Sequence, residues 1–209
     1  MPYGFLDIAA TPSVKAAQEA NGSREMFEDF AGDRAFDRIG PDEAAYIAGR
    51  DSFYIASVSE TGWPYVQHRG GPPGLLRVLD EKTLGVADFL GNRQYISLGN
   101  ITANDRVCLF LMDYARRARM KVYARAEVKD LAADPQLALA LSVEGYRARV
   151  ERGLVFHLEA FDWNCSQHIT PRFTQGQIDA AMAPVRAHIA ALEAENAALR
   201  ARLGEAPQA

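Results

Sequence analysis

The sequence has little cysteine, little histidine and no excess of positive charge. Its two cysteines, Cys108 and Cys165, form no CxxC pair, so we expect both to be reduced thiols outside any disulfide framework. The four histidines show no HxxxH spacing, which argues against a metal site. With 23 Lys and Arg against 27 Asp and Glu, the formal net charge is -4, which disfavours nucleic acid as a partner.

Long hydrophobic runs are also missing from the sequence. The apolar stretches are too short for a membrane helix, and residues 1–10 lack the basic and apolar regions of a signal peptide. We therefore expect a cytoplasmic protein that does not bind membranes. The basic segment 116–121 is interpreted as a solvated hairpin tip, with nucleic-acid binding as the alternative.

From residue 51 the chain changes to short β-prone runs separated by turn residues, which is typical of a compact antiparallel barrel or sandwich. We predict a mainly β (α+β) protein in which an N-terminal helical segment, 1–50, packs on a β domain, 51–173. A long helix and a disordered tail are predicted over 174–209. The predicted strands are 53–59, 63–68, 75–79, 83–87, 106–113, 120–128 and 153–161, and the predicted helices between them are 92–101 and 134–143.

The C-terminal helix carries apolar residues in alternating four-three spacing, as in a coiled coil. Asn196 is the one polar residue on this stripe, and a buried asparagine of this kind selects a parallel two-stranded coil. The alternative is an amphipathic helix packed on its own β domain, because only about three and a half heptads are present. The a positions are Met182, Ile189, Asn196 and Leu203, and the d positions are Ile178, Val185, Leu192 and Leu199.

Three polar clusters are candidates for binding chemistry. The first, Gln67-His68-Arg69-Gly70-Gly71, ends a predicted strand, where glycines let a ligand approach the backbone and an arginine offers a planar fork of donors. The second, Gly91-Asn92-Arg93 with Ser97, opens a predicted helix, where backbone N–H groups and the helix dipole favour an anion. An ordinary turn and a plain helix start are the respective alternatives.

The third cluster runs from Asp162 to Arg172 and is rich in indole, amide and imidazole groups. Such side chains hydrogen-bond to the edge of a heteroaromatic ring or stack on its face. The cluster includes Trp163, Gln167 and His168.

Several stretches resemble the pyridoxamine 5′-phosphate oxidase-like FMN-binding split-barrel proteins, and in particular their large uncharacterised bacterial branch. The resemblance spans roughly residues 20 to 173. Its most specific parts are Arg69-Gly70-Gly71-Pro72-Pro73-Gly74 and the segment that runs from Trp163 through Gln167-His168-Ile169. The stretches 53–64 and 88–93 add to it.

The resemblance implies a six-stranded Greek-key split barrel that forms a homodimer and binds FMN in clefts lined by both chains. Arg69 matches an arginine that holds the flavin phosphate in this family, and Asn92 and Arg93 stand where a second phosphate-binding segment is expected. That segment lacks the family's serine, which Ser97 is expected to replace. By the same analogy Gln67, His68, Gly70 and Gly71 lie beside the flavin ring, and Trp163, Gln167 and His168 close the site.

The function implied by the resemblance is an FMN-dependent oxidoreductase that transfers hydride at flavin N5 to or from a small organic molecule. His168 is the candidate catalytic residue, with a plain flavin contact as its alternative role. The family's substrate-phosphate segment of arginine and histidine is not found, so we do not expect pyridoxamine phosphate as the substrate. Three points stay open: a nicotinamide donor, a deazaflavin in place of FMN, and a non-catalytic flavin- or haem-binding sensor or carrier.

Overall fold

The computed structural model describes residues 3–27, 37–163 and 167–204. The chain divides into two compact units, Met1–Ile169 and Thr170–Ala209. The tail that we predict to be disordered, 205–209, lies outside the described residues. No helix in the described ranges is long and apolar enough to cross a membrane.

The described residues of the first unit form one antiparallel sheet of seven strands in the order β2-β1-β5-β6-β7-β4-β3. This corrects the six strands that the resemblance implied: the short run after the proline-glycine loop pairs with β4 and adds a strand at the edge. The strands are β1 Ser52–Val58, β2 Pro64–Gly70, β3 Leu76–Asp80, β4 Thr83–Phe89, β5 Arg106–Asp113, β6 Ala118–Lys129 and β7 Val150–Trp163.

The core lies against one face of this sheet because the strands alternate apolar and polar positions. In β1 the side chains of Phe53 and Ile55 are buried, and Leu109 and Leu111 follow the same rule in β5. Phe53 of β1 meets Phe156 of β7 edge-on, with ring centroids 6.4 Å apart. Strands far apart in the strand order therefore face each other across the core.

The helices begin and end at residues with capping chemistry. Thr11 caps α2 and accepts a hydrogen bond from the backbone N–H of Val14, and Asp134 caps α5 in the same way. Proline at the first position opens α2, α3 and α5, where its missing N–H costs nothing. The helices of this unit are α1 Tyr3–Ala9, α2 Pro12–Ala20, α3 Pro41–Ala48, α4 Ile96–Ala103 and α5 Pro135–Ala140, with a 3₁₀ helix at Arg24–Phe27.

Helix α3 is tied to the β5–β6 hairpin by buried polar contacts. The Tyr46 hydroxyl donates to the carbonyl of Leu111 at 3.1 Å, and burial raises the pKa of Tyr46 to about 12. Just beyond the helix, Arg50 forms an ion pair with Asp113, with Nη2 2.7 Å from Oδ2 and both side chains largely buried. A buried charge of this kind is tolerated because its partner is also in place.

Cys108 lies on β5 as a free thiol, in agreement with the expected reduced state, and its side chain is half-buried and not part of the core. Burial raises the pKa of this thiol, so the reactive thiolate form is disfavoured. Cys165 lies outside the described residues.

In the part of the second unit that the structure describes, the helix α6 spans Gln175–Leu203, which confirms the predicted C-terminal helix. Thr174 and Gln177 form a capping box at its start, and Gly204 adopts φ 73° at its end. The helix continues through Pro184, which removes one backbone hydrogen bond from its interior.

Candidate functional site

A polar pocket of about 180 Å³ opens where the two ends of the sheet approach each other. Strands β2 and β4 are far apart in the strand order, yet Arg69 of β2 forms an ion pair with Asp88 of β4. The sheet therefore curls until these strands meet. The polar side chains lining the pocket are Tyr65, Gln67, Arg69, Asp88, Asn92, Arg93, Gln94, Tyr95, Ser97 and Glu151.

Five of the residues that the sequence indicates for a cofactor site line this polar pocket. They come from three places in the fold: the inward face of β2, the loop after β4 and the first turn of α4. The five are Gln67, Arg69, Asn92, Arg93 and Ser97.

The alternation of β2 decides which of its residues reach the pocket. Tyr65, Gln67 and Arg69 point to it, whereas Val66 and His68 lie on the opposite face. His68 contacts Tyr54 edge-on there, with ring centroids 5.4 Å apart. His68 is therefore not brought together with Gln67 and Arg69, because successive side chains of a strand cannot share a face.

Arg69 is held in place by a carboxylate, and one of its N–H donors has no acceptor among the described residues. Its guanidinium forms an ion pair with the buried Asp88, whose second oxygen lies 3.8 Å from Nε of Arg152. Asp88 and Arg152 are direct cross-strand partners in β4 and β7. Nε of Arg69 is buried and has no hydrogen-bond partner among the described residues. An unsatisfied buried donor is costly, so this atom points to a missing acceptor.

The loop between β4 and α4 has an unusual backbone. Arg93 and Tyr95 adopt φ 62° and 55°, a left-handed conformation that is uncommon outside glycine. Asn92 Oδ1 accepts a hydrogen bond from the backbone N–H of Gln94 at 3.1 Å, which closes a small turn. Backbone of this kind is enriched at binding sites, where the surrounding structure enforces it.

This loop corrects the predicted start of α4. The helix begins at Ile96 and not at Asn92, because Arg93 and Tyr95 leave the right-handed helical region. Arg93 precedes the helix and is exposed, and it has no hydrogen bond or ion pair within the described ranges. Its guanidinium is therefore available to an anion in the pocket.

Ser97 links α4 to β2 at the floor of the site. Its hydroxyl is buried and donates to Gln67 Oε1 at 2.6 Å, and one turn later Asn100 donates to Ser57 Oγ at 3.0 Å. The Ser97 hydroxyl, which was expected to donate to a phosphate, therefore donates to Gln67 instead. Ser97 retains acceptor capacity, while the amide N–H groups of Gln67 remain for a ligand.

A further group at the pocket was not found from the sequence. The Tyr95 hydroxyl donates to Glu151 Oε1 at 3.0 Å, and the guanidinium of Arg152 lies over the Tyr95 ring at 5.1 Å. Arg152 also contacts Glu151 at 3.1 Å. The charged side chains that line the pocket are Arg69, Arg93, Asp88 and Glu151, whose charges cancel, and Arg152 adds a positive charge beside the lining.

Trp163 lies away from the polar pocket, at the end of β7. Its indole N–H donates to Glu43 Oε1 at 3.1 Å, and its ring meets Tyr46 edge-on at 4.6 Å, so it packs against the core. Gln167 and His168 are exposed residues further along the chain, and His168 has φ 61°. The intervening part of the third cluster, 164–166, lies outside the described residues.

The two glycines after Arg69 are also outside the pocket lining. A Cβ atom on Gly71 would touch Leu75 and Phe89 at 3.5–3.6 Å, which is ordinary packing. A Cβ atom on Gly70 would lie 2.8 Å from the imidazole of His68, a movable side chain. These contacts are with the protein itself, so a role beside a flavin ring stays a prediction for both glycines.

The sequence matches one known protein family. The pyridoxamine 5′-phosphate oxidase family model matches residues 40–162, more than half of the chain. A search of curated proteins found no match.

Three solved structures that are similar to this chain come from differently described proteins. An FMN-binding protein from Syntrophomonas wolfei is 15% identical, with 73% of this chain and 95% of that chain covered and a TM-score of 0.44. A protein from Clostridium acetobutylicum related to general stress protein 26 is 15% identical (66% and 94% covered, TM-score 0.43). An F420 reductase is 19% identical (59% and 98% covered, TM-score 0.40). On the extent of the family-model match, the chain belongs to the pyridoxamine 5′-phosphate oxidase family.

Proposed function

We propose that the polar pocket binds the phosphate of FMN and that the protein is a flavin-dependent oxidoreductase acting on a small organic molecule. One observation carries the proposal: Arg69 is fixed by Asp88 while its Nε is buried without an acceptor, and the unpaired Arg93 lines the same pocket. A phosphate supplies the missing acceptor and about two negative charges. These residues therefore fit the phosphate end of FMN.

The size of the pocket supports a site shared between two chains. A volume of about 180 Å³ accommodates a phosphate but falls below the roughly 300–1,000 Å³ of typical ligand sites. The flavin ring would need further walls, and a second copy of the chain is the partner that we propose. Gln167 and His168 remain candidates to supply such walls from that copy.

An exposed apolar face on the first unit supports the same homodimer. On the side of the sheet away from the core, Val66 of β2 is 60% exposed, and Trp63, in the turn just before β2, is 76% exposed. A groove of about 500 Å³ lies on this side, lined mostly by apolar atoms of β1, β5 and β6 together with Ile8 and Pro64. Exposed apolar surface of this kind marks interaction sites in natural proteins.

Bound FMN would supply hydride chemistry at N5, and the chain's own residues would bind and orient it. Arg69 and Arg93 would hold the phosphate, with Asp88 and Arg152 fixing the Arg69 guanidinium. Gln67 would be oriented by Ser97. A role for His168 in placing a proton on the substrate stays a prediction.

The test begins with the visible spectrum of the purified protein and mass spectrometry of any ligand released by heat. We expect a yellow protein that releases FMN, and lower flavin occupancy in both Arg69→Ala and Arg93→Ala. Arg186→Ala on α6 is the matched control, since it removes the same charge from an exposed surface pair. A colourless protein that takes up no added FMN, or full occupancy in both pocket variants, would refute the proposal.

A second candidate function is flavin or haem binding without turnover. It is favoured because neither histidine lines the polar pocket, where a proton donor would be needed. His68 lies on the opposite face of β2, and His168 is exposed beyond β7. Reduction by a nicotinamide donor and rapid reoxidation by an organic acceptor would establish catalysis. A flavin-loaded protein inert to every donor and acceptor tried would favour the binding function.

A further inference from the structure

We infer that α6 pairs in parallel and in register with α6 of a second copy of this chain, forming a short two-stranded coiled coil. The inference concerns the second unit alone and is independent of whether the polar pocket binds FMN. The helix α6 is capped and 29 residues long, and it carries an apolar stripe, yet none of its residues is buried.

The apolar stripe of α6 is exposed along its whole length. Met182, Val185, Ile189, Leu192 and Leu199 are each 40–50% exposed. Removing these apolar side chains from water would favour association. Because they alternate at four-three spacing, they form the narrow stripe typical of a coiled-coil interface and not the wider face of a helix packed on a sheet.

Asn196 selects the orientation of the pair. In a parallel, in-register pair its copy lies directly opposite, and two amides can donate to and accept from each other. In an antiparallel pair an a position faces d positions, all of which are apolar here, so the amide would be buried without a partner at a cost. Asn196 Oδ1 already accepts from Arg200 Nε at 2.6 Å, and its second lone pair and both N–H donors remain.

Charges beside the stripe agree with the parallel arrangement. Glu195 occupies a g position and Arg200 the following e position, and these meet between the two chains of a parallel coil. His188 and Glu193 repeat the g-to-e relation one heptad earlier, though more weakly. Two identical helices therefore present complementary charges to each other, which is the reason for choosing a second copy as the partner.

Pro184 does not interrupt this arrangement. It lies at a c position, on the outer side of the helix, so its ring faces away from the stripe. Its effect is the loss of one backbone hydrogen bond near the start of α6. The residues from Val185 to Leu203 therefore form the continuous part of the coil.

Disulfide cross-linking of the full chain tests the pairing directly. In a parallel, in-register pair the two copies of a d position lie within the Cα separation of about 7 Å that a disulfide allows, whereas copies of an outward f position do not. We expect Leu199→Cys to give at least about tenfold more cross-linked dimer under mild oxidation than the f-position control Ala201→Cys. Both variants keep Cys108 and Cys165, so background cross-linking is equal.

A Leu199→Cys yield no higher than that of Ala201→Cys would overturn the inference. Flavin occupancy, recorded on the same samples, separates this result from a failure of the proposed function. Asn196→Leu provides a second measurement: a buried asparagine replaced by leucine should strengthen association and allow species larger than the dimer. Unchanged dissociation on dilution together with an unchanged size distribution would show that Asn196 is not at an interface.

Discussion

The two units of this protein keep their structure by different means. In the first, side chains such as Leu109 and Leu111 are fully shielded, and even an ion pair, Arg50–Asp113, is largely buried. In the second, α6 has no buried residue and relies on its caps and on exposed pairs such as Arg186–Asp179. The same type of interaction is therefore expected to stabilise the two units by different amounts, according to burial.

The largest expected effect is from Asp113→Ala in the first unit. It leaves the buried Arg50 guanidinium without a counter-charge, so we expect the free energy of unfolding to fall by about 3–5 kcal/mol. Urea unfolding at a fixed protein concentration measures this. The matched control is Asp179→Ala in α6, which removes the exposed partner of Arg186 and should cost less than about 1 kcal/mol. Equal effects would contradict the comparison.

A smaller, pH-dependent effect is expected at Tyr46, whose pKa is raised to about 12 mainly by burial. Since an unfolded tyrosine ionises near pH 10, the stability contributed by neutral Tyr46 is present below pH 10. It is lost as the pH rises from about 10 to 12. The stability advantage of the wild type over Tyr46→Phe should therefore shrink across this range in unfolding experiments. An advantage independent of pH would show that Tyr46 ionises in the folded protein as readily as in the unfolded chain.

The smallest effect is expected at Glu127, an exposed carboxylate of the first unit. Its pKa is lowered, first by the hydrogen bond from Lys129 at 2.6 Å and then by that from His157. A lowered pKa gives stability that is present above the unfolded pKa and lost as the pH falls below it. Because solvent screens the group, we expect Glu127→Gln to cost less than about 1 kcal/mol at pH 7, and progressively less as the pH falls below the pKa of the unfolded chain. A larger cost would mean that location in the sheet unit matters more than burial.

Local chemistry explains which parts of the fold the sequence predicts. Alternation in β1 and β5 and the cap Asp134 act over a few residues, so these strands and α5 appear close to the predicted 53–59, 106–113 and 134–143. The pattern of short β-prone runs indicates seven strands, including 75–79, which corresponds to β3. The number six came from the resemblance alone and is wrong, because β3 pairs with β4 and adds a strand at the edge.

In the candidate site, too, the residues recognised from the sequence differ from those whose roles depend on contacts between distant strands. Gln67, Arg69 and Arg93 carry recognisable chemistry and were found from the sequence, whereas Asp88 and Arg152 were not. Their roles depend on the register that places them opposite each other in β4 and β7 and on the curl that brings β2 to them. The alternation of side chains along β2 would have placed His68 on the face opposite Gln67 and Arg69. The resemblance instead assigned all three residues to the flavin site.

The alternation of β2 also restricts how this protein can vary in evolution. Arg69 reaches the polar pocket because it lies two positions after Gln67 and four positions after Tyr65 on the same strand. Inserting one residue early in β2 would turn Gln67 and Arg69 outward and bring Val66 and His68 to the pocket, exchanging the two faces at once. Inserting two residues would restore the face but move Arg69 along the strand by roughly 7 Å, away from Asp88, so changes of length are confined to the turn before Pro64.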